Sequence, residues 1–257
     1  MIGAQGERGY QLKFSENNPE MHSEAGRLRK ANTMVQVLRE HLQQTAERQL
    51  LDVGSSTGFT DHYLAQHFGS VHGIDIDKQG VRHAQQSFQR SNLTFTQGDA
   101  MALAFEEHSF DVVICTHVYE HVPSATKLMA EIYRVLKPGG VCYFSAGNRL
   151  QYMEPHYQLP MLSWPPKWIA NLYRKMARRG SLYYEEHLTY WGLAALTSRF
   201  KRHDYTEKLV LDPIRYGTDY MIPPGSQKQR VARALLKFAY PLFPGLHLVI
   251  RKTSHLS

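Results

Sequence analysis

Leu50-Leu51-Asp52-Val53-Gly54-Ser55-Ser56-Thr57-Gly58 is the stretch from which the rest of the chain is read. An apolar run carrying one acidic residue gives way to small residues, and a helical pattern begins near Thr60. That is the order of a buried parallel strand, a tight turn and a helix, the first unit of a doubly wound sheet. Glycines in such a turn let the backbone take positive φ and approach a ligand closely. Taken alone, the turn marks a nucleotide-binding protein of no particular kind.

The segments that follow narrow this. Residues 71–75 form a second short strand ending in Asp75, 23 positions after Asp52. That is close to the roughly 20-residue offset at which a carboxylate reaches the ribose of a bound nucleoside. Residues 93–100 form a third strand, ending in Gly98-Asp99-Ala100, and residues 110–115 and 140–145 a fourth and a fifth. Helical patterns at 60–68, 77–90 and 126–136 separate them, the last stopped by Lys137-Pro138-Gly139-Gly140. Such alternation predicts an open, parallel α/β sheet with the ligand at the carboxyl ends of its strands.

With these elements in order, the chain resembles the class I S-adenosylmethionine (SAM)-dependent methyltransferases over about residues 48–150. The motifs are LDVGSSTG, GIDID, QGDA, FDVVICTHVYEHV and RVLKPGG. The resemblance implies a seven-stranded Rossmann-like sheet, mostly parallel, with helices on both faces. Its last strand, 246–251, would lie antiparallel between strand five and a sixth strand at 204–211. It also implies SAM as cofactor. Gly54, Ser56 and Gly58 would line its amino-acid end, with Asp52 and Ser55 in the same motif. Asp75, followed by Ile76, would hold the ribose hydroxyls. Asp99 would accept from the adenine amino group with Ala100 and Met101 beside the ring, and Thr116 would lie near the methionine moiety. One departure is Ser56, which stands where the family usually has the middle glycine of the first motif. A nicotinamide-dependent dehydrogenase fits less well, because its pyrophosphate favours G-x-G-x-x-G and this turn is one residue short of that.

Methyl transfer from a sulfonium is an in-line displacement, so alignment of acceptor and methyl carbon carries most of the work. A hydroxyl acceptor must also lose its proton. His121, just after strand four, is the first candidate base, with His156 and His187 behind it. The Glu-His-Val-Pro stretch and Asn148-Arg149 after strand five are similar to the quinone-biosynthesis O-methyltransferases. That likeness implies a small or lipid-linked acceptor; a soluble sugar or natural-product hydroxyl is the alternative, and a non-catalytic SAM-binding protein a further one. The sequence carries no metal signature. Glu120, His121 and His187 nevertheless make a mixed oxygen and nitrogen set that could hold a divalent ion.

The full 257 residues read as a single domain. Residues 22–47 read as a helix, which by the same resemblance covers the cofactor entrance, where Arg27 or Arg29 could meet the cofactor's carboxylate. Residues 48–150 form the SAM-binding core, 151–190 a lid-like insertion after strand five, and 191–257 the remainder of the sheet with a basic amphipathic insertion. Hydrophobic residues at 42% and charged residues at 21% are ordinary for a globular protein. Two cysteines on core strands and a polar stretch at 1–16 without a signal-peptide core point to a cytoplasmic protein. The net charge of +7 suggests an acidic partner. With no basic stripe interleaved with aromatics, nucleic acid is disfavoured. Two helical stretches, 167–179 and 229–240, combine basic and apolar residues, which suits peripheral contact with an anionic membrane surface or packing on the sheet. The first places Trp168, Ile169, Leu172 and Met176 on one side, and the second places Val231, Leu235 and Phe238 opposite its basic residues. Oligomeric state is not legible.

Overall fold

The computed structural model describes Leu12, Ser15 and residues 23–178 and 182–253. Most of the polar stretch at 1–16 and Arg179 lie outside the described residues. Seven strands make the main sheet: β1 (Gln49–Val53), β2 (Ser70–Asp75), β3 (Leu93–Gln97), β4 (Phe110–Thr116), β5 (Leu136–Gly147), β8 (Lys201–Asp204) and β9 (Gly245–Arg251). Their order is β3-β2-β1-β4-β5-β9-β8. Pairings from β3 across to β5 are parallel, and β9 runs antiparallel to both β5 and β8. Order and direction agree with the sequence reading.

Strand residues alternate between two apolar layers because successive side chains leave opposite faces of a sheet. Leu51, Val113, Cys142 and Phe144 pack with Leu128, Ile132 and Leu193 on one face. Leu50, Val112, Val141 and Tyr143 pack with Leu38, Leu64, Val81 and Leu209 on the other. The first face is thus covered by α4 (Ala125–Val135) and α6 (Tyr190–Leu196). The second is covered by α1 (Glu24–Arg39), α2 (Phe59–Leu64), α3 (Lys78–Ser87) and α7 (Thr206–Leu211). Side-chain caps fix where several helices begin: Asp77 accepts from the Gln79 and Gly80 amides, Ser124 from Lys127, and Thr189 from Gly192.

Two boundaries differ from the sequence reading. The first helix stops at Arg39 rather than near residue 47. Glu40 there turns aside to accept hydrogen bonds from Tyr205, Tyr216, Lys208 and Arg215. The sixth strand is Lys201–Asp204, and 206–211, expected as strand, is α7. Sheet pairing ends where Asp204 Oδ1 accepts the Thr206 amide at 2.8 Å, opening a helix whose Leu209 and Val210 are buried.

The insertion after β5 begins with a small hairpin of β6 (Met153–Glu154) and β7 (Leu159–Pro160), followed by α5 (Lys167–Met176). Its own small core joins Leu159, Leu162, Ala170 and Tyr183. The inward residues of α5 are Ala170 and Arg174. Trp168, Leu172 and Met176 face outward and Ile169 is half-buried, so the apolar side does not pack on the domain. In α8 (Gln227–Phe238), Gln229, Ala232 and Leu236 are buried, Leu235 is half-buried, and Val231 and Phe238 are exposed. Among the described residues no helix is long and apolar enough to cross a membrane.

Candidate active site

The turn after β1 is held open by three consecutive even-numbered residues in the left-handed region: Gly54 at φ +87°, Ser56 at +52° and Gly58 at +82°. A Cβ on Gly54 would lie 2.5 Å from Val118 Cγ2, so only glycine fits. Ser56 pays the strain of this conformation for a hydrogen bond, its amide donating to Asp75 Oδ2 at 2.7 Å. Asp75 Oδ1 accepts the Asp77 amide at 2.8 Å. The carboxylate at the tip of β2 is therefore fixed from both sides before any ligand arrives.

Above these tips lies a cavity of about 440 Å³. Gly54, Ser56, Asp75, Ile76, Asp99, Ala100 and Thr116 all line it, as the sequence reading placed them. Four residues from that reading stand outside its lining. Asp52 is buried beneath the turn, and Ser55 is buried with its amide donating to the Ile74 carbonyl. Gly58 serves packing, since a Cβ there would lie 2.7 Å from Ala84 and 2.8 Å from Phe95. Met101 is absent from the lining, and its Sδ accepts the Ser124 amide at 3.3 Å.

Other walls were not foreseen. Lys30, Thr33 and Met34 come from α1 beside the anticipated Arg27, while Arg29 instead stacks on Tyr220 at 5.2 Å. Thr218, Tyr220 and Met221, from the connection between α7 and α8, close another side. Only the position of α1 had a sequence signal, in its helical periodicity. The connection between α7 and α8 had none, because it reads as an ordinary long loop.

His121 and His156 also line the cavity. Their rings meet edge to face, with centroids 5.0 Å apart, and His187 stacks 6.5 Å beyond His156. The three histidines singled out from sequence are thus brought together, although His187 is buried behind the wall. Glu154 Oε1 lies 2.8 Å from His156 Nδ1 and 3.5 Å from His187 Nε2. Glu120, wholly buried, receives His117 Nδ1 at 3.1 Å. Burial opposes charge on Glu120 and Glu154, but the His117 and His156 hydrogen bonds and the charge of nearby histidines outweigh it and hold both carboxyls at about 2. Burial, reinforced by the adjacent histidines against Glu120, lowers His121 to about 4 and keeps its imidazole neutral. For His156 burial is overcome by Glu154, and its pKa rises.

Below the turn, burial raises Asp52 to about 7 and Asp61 well above the usual carboxylate range; Asp52 pushes Asp61 higher still, while a hydrogen bond from Asp61 holds Asp52 down. Cys115 and Cys142 are buried free thiols, both pushed up by burial, and take no part in nucleophilic chemistry.

This cavity suits an adenosyl sulfonium. Ser56 Oγ is buried without a partner at the lining, Gly54 leaves space for close approach, and acidic residues stand at the tips of β2 and β3. Comparison with known proteins agrees. Residues 51–144 match the sequence profile of a methyltransferase domain. A ubiquinone biosynthesis O-methyltransferase of Coxiella burnetii is 28% identical over 144 residues, 53% of this chain and 61% of that protein. A phthiotriol/phenolphthiotriol dimycocerosates methyltransferase of Mycobacterium leprae is 39% identical over 98 residues, 36% of this chain and 35% of that protein. A SAM-dependent methyltransferase of Methanosarcina mazei superposes with a TM-score of 0.56 at 18% identity, over 84% of this chain and 97% of that one. The chain carries a methyltransferase domain over residues 51–144, on the fold of solved SAM-dependent methyltransferases. Its match spans about three fifths of the length of the Coxiella relative.

Proposed function

We propose that the protein methylates a hydroxyl oxygen on an apolar, lipid-linked acceptor, using SAM. The observation that carries this is one cavity lined both by the strand-tip carboxylates Asp75 and Asp99 and by His121 and His156. A cofactor and an acceptor sharing that space would be held for direct transfer. When bound, the cofactor supplies an electrophilic methyl group whose departure leaves a neutral thioether. Asp75, Asp99, Ser56 and the Gly54 backbone would hold it. His121, at the wall beside the tip of β4, is placed to take the acceptor's proton. The names of the Coxiella and Mycobacterium relatives support an oxygen acceptor and a lipid-linked one respectively.

Two outward faces support approach from an anionic membrane surface. Trp168, Leu172 and Met176 repeat at helical spacing along α5, with Lys175 and Arg178 beside them. Val231 and Phe238 do so on α8 among Arg230, Arg233 and Lys237. Apolar side chains ringed by cations fit an interfacial contact. The test is transfer of labelled methyl from SAM to prenylated phenols, run beside flotation with anionic vesicles at low salt. Label in the prenylated phenol and co-flotation support the proposal. Transfer only to soluble hydroxyls without vesicle binding moves the acceptor to a soluble compound, and SAM binding without turnover on any acceptor leaves a non-catalytic binder.

A further inference from the structure

We propose that Glu154, His156 and His187 form a site for a divalent cation of the zinc class, with its open coordination position toward the cavity. Their ligand atoms all lie within 4.8 Å of one another. The two imidazoles converge on a single carboxylate oxygen, His156 Nδ1 at 2.8 Å and His187 Nε2 at 3.5 Å from Glu154 Oε1. A hydrogen bond explains one of these approaches. It does not explain the second, because neither ring nitrogen of buried His187 has a hydrogen-bond partner. Leaving a buried nitrogen unpaired costs about 1–3 kcal/mol, and a metal ion would give His187 Nε2 a ligand bond.

Charge around the trio points the same way. Glu120, Glu154 and Glu185 are all buried here, and one oxygen each of Glu120 and Glu185 lacks a hydrogen-bond partner. Buried Arg174, stacked 3.8 Å above Tyr157, is the one fixed cation described among them. The carboxylate is also held in place from behind, Glu154 Oε2 accepting the Tyr157 amide at 2.8 Å, as the supporting shell of a metal ligand usually is.

Two imidazoles and one carboxylate suit zinc and its neighbours, and three protein ligands leave a fourth position open. His156 and Pro155 line the cavity, so that position opens into it. The structure thereby regroups the set suggested by sequence: Glu120 is engaged by His117, and Glu154 takes its place. The role of the ion rests on the methyl-transfer reading. An acceptor oxygen at the open position would be more acidic, and its proton would pass to the neighbouring His121.

Cobalt(II) titrated into chelator-treated full-length protein tests binding without reference to turnover. Expected is one equivalent with the visible absorption of a low-coordinate site. His187→Ala and, because it disturbs a less buried side chain, His156→Ala should each weaken cobalt binding by more than the about 10–100-fold that a supporting residue costs. Calorimetry with SAM on every variant shows that the fold survives. No stoichiometric cobalt band in the wild-type protein, or a band that survives both substitutions while SAM binding is intact, overturns the site. Loss of SAM binding by the wild-type protein would instead overturn the methyltransferase reading, and the cobalt result would stand by itself.

Discussion

The cofactor wall of the cavity is built from strand tips that neighbour one another in the sheet and follow one another in sequence. Another wall draws His121 from the loop after β4 and His156 from a two-stranded hairpin, backed by Glu154 of that hairpin and by His187 from a segment 31 residues beyond His156. The first wall is rigid because sheet pairing places Val53, Ile74 and Cys115 side by side and leaves the turns above them little freedom. The second is set by side chains bonding to each other. Strand-tip chemistry therefore follows from the fold, while histidine chemistry follows from how the insertion folds back.

The largest expected effect falls on the histidine wall alone. His121→Asn should lower acceptor-dependent turnover by about 10²–10⁴, the range typical of losing a general base, with SAM affinity unchanged by calorimetry. An equal loss of SAM affinity would show that the two walls are not separable. On the cofactor wall, Asp75→Ala should weaken SAM binding by on the order of 100-fold. It should also destabilise the fold by roughly 2–4 kcal/mol, because the Ser56 and Asp77 amides both lose their acceptor. Chemical denaturation and calorimetry measure the two parts.

A pH effect comes next. Asp52 titrates at about 7 in the folded protein, from burial and from Asp75 nearby, with Arg27 and a hydrogen bond from Asp61 opposing, and burial raises Asp61 as well. An unfolded aspartate titrates near ~3.9. Between those values the native state holds the extra proton, so stability of the ligand-free protein should fall as pH rises from about 4 to 7. Asp61→Asn removes the second raised carboxyl and should flatten that fall; an unaltered slope in thermal melts across the range would show that Asp61 holds no extra proton in the native state. The smallest effect is Ser56→Gly, which removes left-handed strain and should change stability by no more than about 1 kcal/mol in denaturant titrations.

Legibility from sequence follows the same division. The parallel sheet with its antiparallel last strand and seven of the residues that line the cavity were readable because each sits within a few positions of a strand end. Met101 and Gly58 lie outside the lining for a shared reason: proximity to a motif does not say which way a side chain points. Gly58 answers to Phe95 and Ala84, which are distant in sequence. The strand expected at 204–211 became a helix because a short run such as Leu209-Val210-Leu211 suits either, and the Asp204 cap decided it. Glu154 was overlooked as a partner of His187, since 33 residues and a hairpin separate them.

One side chain has a mechanical consequence. Tyr119 donates its hydroxyl to the Gly147 carbonyl and accepts the Leu188 amide, while the Arg149 amide reaches the Leu188 carbonyl. Both feet of the insertion are thereby stapled together at the end of β5. A flap swinging from either foot would have to break those bonds, so any movement of the insertion belongs to the arch between its feet and not to its anchorage.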